Sequence, residues 1–353
     1  MKILYWIDDT HDAGKPPNGP AQKRLEKGLK VQLSIKSIQN RAQFDAFLPV
    51  MDESKTCGVI MDYQLTSVGE NGQMAYGSTW AAEIRAAHPS IPVIGISHAR
   101  SIDIPKLRLE SFLAFFPRES LMGPEPPLDE ISALLTGYSR VWLARSKQQD
   151  KSGVSLMAEL ACPPTGVAEL FTAAIPTGLR GPWDLETPHV AGRWLWHDLQ
   201  GRPGFLFDDL GLATYLGLNL AGFHRVSSKF KEARYRGAFS SDGRPRWWVN
   251  AIRSIVEHAF ARQIVGPISG AREALLAASR VPRREFAALL SRAHGSKHSR
   301  EVPDCVAYRD DQREEGDRVQ ALLKDTYVDD RDANPPFGFE ARRVFGMRAA
   351  NEE

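Results

Sequence analysis

Cysteine is scarce in this chain. Cys57, Cys162 and Cys305 are the only three, odd in number and far apart. That excludes a disulfide framework and a cysteine-built zinc site, and it fits a reducing, cytoplasmic setting. No run of about 18 apolar residues is present, so no membrane-spanning helix is expected. The N-terminus reaches the charged Asp8 too early for a secretory signal. No glycine loop of the Walker type occurs, which excludes that route to nucleoside triphosphates. The formal net charge is only +2, which selects no partner by itself.

Charge is unevenly spread, however. Residues 1–220 carry about −3, residues 221–300 about +11 and residues 301–353 about −6. A basic middle between acidic flanks points to a partner or a counter-surface. At 353 residues the chain exceeds what one core usually organises, so two domains are expected.

Three short apolar runs end on groups with chemistry. Ile3–Ile7 stops at Asp8 and Asp9, Cys57–Met61 stops at Asp62, and Ile91–Ile96 stops at Ser97. Their length and β-branched content mark buried strands. In a parallel sheet, strand C-termini share one edge, where open α/β sheets bind ligands. Three carboxylates and a hydroxyl at that edge make a site for a hard cation beside a nucleophile. Val31–Ile38 and Phe112–Phe116 read as two further strands. Helices are expected over 21–29, after an Asn40 cap, after a Ser78 cap, and over 128–142. The pattern predicts an α/β domain over residues 1–145, a doubly wound five-stranded parallel sheet.

Two other readings compete. Strand-end aspartates often only cap the next helix. That accounts for Asp8 or Asp9 alone, but not for Asp62 and Ser97 at two other strand ends. A haloacid-dehalogenase-like phosphatase needs a second Asp two residues after the first, and Thr10 and His11 stand there instead.

The ordered set Asp8-Asp9, Asp62, Ser97 and Pro117, with the segment Trp80–Ile94, resembles the receiver domain of two-component response regulators. The resemblance implies that Asp62 accepts a phosphoryl group from a histidine kinase or phosphotransfer protein, and that Ser97 hydrogen-bonds it. It also implies Mg²⁺ held by Asp9 and Asp62 directly, by Asp8 through water, and by the Gln64 carbonyl. One part departs from the family. The lysine expected just before the proline is Phe116, so Arg118, His98 or Arg100 must reach in, or the switch is degraded. The Pro/Gly-rich loop after Asp9 and the insertion 67–76 also depart, at the rim of the site.

Residues 146–154 are polar and read as a linker. An α-rich effector domain is expected over 155–303, then an acidic helix and tail over 304–353. Leu212–Val226 resembles a helix-turn-helix, with Gly217 in the turn, Leu218 plugging the core and Asn219 capping the second helix. Strand-like runs 234–239 and 244–249 around Asp242-Gly243 read as a hairpin, giving a winged-helix element over 205–250. His224, Arg225, Ser228 and Lys229 would then face the major groove of duplex DNA, and Arg244 and Arg246 its phosphates. Such patterns also arise in ordinary helical cores, and basic residues on a helix are more often a solvated face. Leu275–Leu290 has similar spacing, but with Arg280 where glycine is wanted. His189, His197, Asp208 and Asp209 are read as structural.

No independent catalytic constellation follows residue 145, so the chain is expected to signal rather than to act as an enzyme. The expectation is a cytoplasmic response-regulator-like protein, without membrane association, whose output is DNA binding and which can form a homodimer. The rival is a degenerate receiver serving as a protein–protein adaptor.

Overall fold

The computed structural model describes residues 1–8, 19–65, 75–98, 104–148, 151–201, 204–260 and 271–289, with two-residue strands at Arg292–Ala293 and Thr326–Tyr327. The chain divides into two compact units. The first comprises Met1–Ala161, Ile175–Trp196 and Gly237–Arg244; the second comprises Cys162–Ala174, His197–Arg236 and Pro245–Glu353.

The first unit is built on β1 (Ile3–Asp8), β2 (Gln32–Ser37), β3 (Thr56–Asp62), β6 (Val93–Ser97) and β7 (Ala114–Pro117). These form one sheet in the order β2-β1-β3-β6-β7, and every neighbouring pair is parallel. A second, two-stranded ribbon of β4 (Gln64–Leu65) and β5 (Ala75–Tyr76) follows Asp62 directly. The sheet order is the receiver-like doubly wound one, whose topological switch point lies between the first and third strands.

Both faces of the sheet are covered, as parallel strands require. Tyr5, Ile7, Val59 and Met61 face a core with Phe44, Trp80 and Ile84. The alternate residues Leu4, Trp6 and Ile60 are equally buried but point to the other face. Helix α2 (Arg41–Phe47) starts at Asn40, whose side chain accepts the Gln43 N–H. Its Phe44 stacks on Trp80 with ring centroids 4.4 Å apart.

Helix α3 (Gly77–Ala87) begins one residue before the expected cap. Ser78 is a buried helical residue, and Tyr76 occupies the cap position without a side-chain bond. The reason is close packing: a methyl group at Gly77 would run into the Asp62 carbonyl oxygen. Two short helices, α4 (Lys106–Leu109) and α5 (Arg118–Met122), flank β7. Helix α6 (Leu128–Arg145) follows, and then α7 (Gly153–Ala161), which also belongs to the first unit. So does α9 (Thr187–Arg193). His189 bonds the Glu110 carbonyl at 2.9 Å, and Arg193 donates to the carbonyls of Leu109 and Phe112.

The second unit is helical: α8 (Thr165–Ala174), α10 (Asp209–Tyr215), α11 (Leu220–Val226), α12 (Val249–Phe260), α13 (Arg272–Ala278) and α14 (Phe286–Leu289). Strands β8 (Leu206–Phe207) and β9 (Trp247–Trp248) pair antiparallel, and Trp247 also bridges Arg234. The hairpin expected over 234–239 and 244–249 does not form along its length; pairing is confined to its base, where Tyr235 N–H donates to Arg246 O at 2.8 Å. Residues 237–244 instead belong to the first unit, with Phe239 buried against Gly137 of α6. Burial of one aromatic ring outweighs a few ladder hydrogen bonds at the solvent surface.

No helix among the described residues is long and apolar enough to cross a membrane.

Candidate functional site

The register of the main sheet aligns its strand ends. Ile7 lies opposite Met61, Asp62 opposite Ile96, and Ser97 opposite Pro117. Asp8, Asp62, Ser97 and Arg118 therefore emerge side by side along one edge. All four are buried, at 1%, 6%, 0% and 2% exposure. Burying two carboxylates on adjacent strands is unfavourable unless charge and hydrogen bonds compensate.

Arg118 supplies that compensation. Its Nη1 donates to Asp62 Oδ2 and its Nη2 to Asp8 Oδ2, each at 2.5 Å. One planar guanidinium thus spans the gap between β1 and β3, using the fork geometry that a lysine lacks. Its other support is Trp6, whose ring lies 5.9 Å from the guanidinium carbon and whose Nε1–H donates to Asp8 Oδ2 at 3.4 Å. Asp62 Oδ1 accepts the backbone N–H of Gln64 at 3.1 Å. That bond and the Gln64–Tyr76 pairing of the ribbon fix the turn leaving Asp62.

Of the three cations expected to replace a lysine at Phe116, Arg118 is the one seen at the carboxylates. His98 is exposed and bonds Glu119 at 2.6 Å. Arg100 lies outside the described residues, as does Asp9. Phe116 itself is buried opposite Ile96. Arg108, on α4, lies 3.4 Å from the Tyr76 ring centroid and donates to the Tyr63 hydroxyl at 3.2 Å.

The donor set fits a divalent cation in kind, since Asp8 and Asp62 are hard oxygen ligands of the sort Mg²⁺ takes. Among the described residues no group of three His, Cys, Asp or Glu gathers to hold a metal.

In the second unit, α10 ends at Tyr215 and α11 begins at Leu220, with a short turn between them. Gly217 has a φ of +71°, Leu218 is buried, and the Asn219 side chain accepts the Gly222 N–H at 2.8 Å. Arg225, Ser228 and Lys229 are exposed on α11 and the turn after it. His224 is exposed but bonds Asp209 at 3.2 Å. Arg244 is not placed as expected: it belongs to the first unit and pairs with Glu130 of α6. Nor is Arg246 turned outward, because its Nε donates to Gln200 O at 3.0 Å and its Nη1 lies 3.6 Å from Asp208.

The start of α11 is covered by α14. Asn219 N–H donates to Leu289 O at 3.0 Å, and Asn219 Nδ2 donates to Ala288 O at 2.7 Å. Gly222 leaves no room for a side chain against the Leu289 carbonyl. This packing escaped the sequence reading because α14 lies far along the chain.

No family model and no curated protein matches this chain. Several solved structures resemble part of it, two response regulators among them. One is a response regulator from Burkholderia pseudomallei with a phosphorylated aspartic acid, a calcium ion and citrate. It is 13% identical, with 45% of this chain and 91% of that chain covered and a TM-score of 0.25. The other is the response regulator StyR, 11% identical, with 54% and 98% covered and a TM-score of 0.24. At these scores the resemblance carries no weight of its own, and the receiver-like fold of the N-terminal part rests on its strand order and register.

Proposed function

We propose that this chain is a response-regulator-like signalling protein in which Asp62 accepts a phosphoryl group from a phosphohistidine on a kinase or phosphotransfer partner. The observation that supports this most is the meeting of Asp62 and Asp8, from β3 and β1, at the switch point of the sheet, with Ser97 on the next strand. Asp62 Oδ attacks phosphorus as the P–N bond breaks, and the electron pair leaves with the imidazole nitrogen. The product is an acyl phosphate. Ser97 would hydrogen-bond a phosphoryl oxygen and so couple the modification to the end of β6. Asp8 and Asp62, with Asp9 and the Gln64 carbonyl, would hold Mg²⁺, which when bound neutralises charge on the phosphoryl oxygens.

Incubation with acetyl phosphate and Mg²⁺, followed by intact mass measurement, tests the acceptor. One phosphoryl group is expected on the wild type and none on Asp62→Asn. An unmodified wild type, or a modified variant, contradicts the assignment.

Two outputs remain, each with its own support. The helix-turn-helix geometry and the exposed Arg225 and Lys229 favour duplex DNA. Recognition helices read bases with their N-terminal residues, and in α11 that end is covered by α14. This favours output through protein contacts. Binding to random duplex DNA with a steep salt dependence would establish the first output; its absence at low salt leaves the adaptor.

A further inference from the structure

We propose that Arg118 is the phosphoryl-binding cation of this site, acting from the first residue of α5 in place of a lysine at the end of β7. The inference rests on the reading of Asp62 as acceptor. It does not follow from the family pattern, which puts the positive charge two residues earlier, at a position filled here by the buried Phe116.

Three observations carry it. First, the guanidinium already bonds the acceptor oxygen Asp62 Oδ2 at 2.5 Å, so a phosphoryl group added to that carboxylate is formed within its reach. Second, the same group holds Asp8 Oδ2 at 2.5 Å through its other terminal nitrogen. Arg118 can therefore release Asp62 toward the incoming phosphoryl oxygens and stay anchored at Asp8, which a point charge with one site of attachment does less well. Third, Arg118 is 2% exposed, with its guanidinium over the Trp6 ring and away from bulk water. In such surroundings, fixed donors aimed at developing negative charge are most effective.

The location on α5 adds a consequence. The same five-residue helix carries Glu119, bonded to His98 at the end of β6. The carbonyls of Met122 and Gly123, at its far end, accept Arg24 Nη2 from α1 (Pro20–Leu29) at 3.3 and 3.0 Å. Arg24 thus ties the far end of the helix that Arg118 begins to α1.

The test is the rate of acetyl phosphate labelling at Asp62, with folding checked by circular dichroism, in wild type, Arg118→Gln, Arg118→Lys and Arg118→Gln/Phe116→Lys. The expected result is a loss of roughly 10²-fold in Arg118→Gln, the scale for removing one fixed donor to a developing anion. A smaller loss is expected in Arg118→Lys, with partial recovery when lysine is restored at 116. Equal labelling of wild type and Arg118→Gln overturns the role of Arg118 while leaving Asp62 as acceptor. A wild type that takes no phosphoryl group removes the acceptor reading and this inference with it. If Arg118→Gln does not fold, Arg118→Lys decides, since labelling at the wild-type rate would show that the fork is irrelevant.

Discussion

The edge of the sheet in the first unit and the helix pair in the second both gather the polar groups that the sequence marks out, but they do so in opposite ways. At the sheet edge, side chains from β1, β3 and the start of α5 converge on one another, and charge meets charge in a buried space. At the helix pair, a backbone end is sealed by backbone: the carbonyls of Ala288 and Leu289 sit on the amide and side chain of Asn219. The first arrangement holds two buried carboxylates with one guanidinium. The second uses up the donors that a ligand would need. Chemistry is therefore expected at the sheet edge and packing at the helix pair.

The two regions share one device, a glycine where two chain segments touch, and this allows a matched experiment. The larger effect is expected from Gly77→Ala. The added methyl would meet the backbone carbonyl of Asp62 inside a stiff sheet, costing about 3 kcal/mol. Amide hydrogen exchange should accelerate across β3 and α3. Unchanged protection there would mean that the close approach is not a constraint.

Gly222→Ala should cost less, about 1–2 kcal/mol, because the four-residue α14 can yield where a central strand cannot. Exchange should rise in α14 and at the start of α11 but not in the main sheet. If DNA binding appears at the same time, the cover over α11 is an obstacle to recognition; if it does not, the helix pair is core.

The smallest effect concerns reactivity rather than stability. Burial raises the Cys57 thiol to about 11, whereas Cys162 is exposed. Since the thiolate is the reactive form, alkylation at neutral pH should modify Cys162 well before Cys57. Comparable rates would show that the β1–β3 region opens as readily as the surface of the second unit.

How much of this was legible depends on the range over which each feature is determined. The strand ends at Asp8, Asp62 and Ser97 could be read because each is the abrupt close of a short apolar run. The caps at Asn40 and Asn219 and the turn at Gly217 could be read because a local backbone need selects those residue types. Ser78 misled because a contact with Asp62, far back in sequence, sets where α3 begins. The hairpin misled for a similar reason: Phe239 is buried against Gly137, which no local pattern records. Arg118 was one of three cations the spacing allowed, and only the fold chooses among them. Asp9, and the acidic segment 304–353 apart from Thr326–Tyr327, lie outside the described residues.

Asp8 and Asp62 share the Arg118 guanidinium at one pole of one sheet. A thermodynamic cycle measures this directly. Arg118→Met in the wild-type background should destabilise the first unit by about 3–5 kcal/mol, because it strands two buried carboxylates. In the Asp8→Asn/Asp62→Asn background the same replacement should cost under about 1 kcal/mol, since the partners are already neutral. Equal costs in the two backgrounds would show that the three groups do not interact.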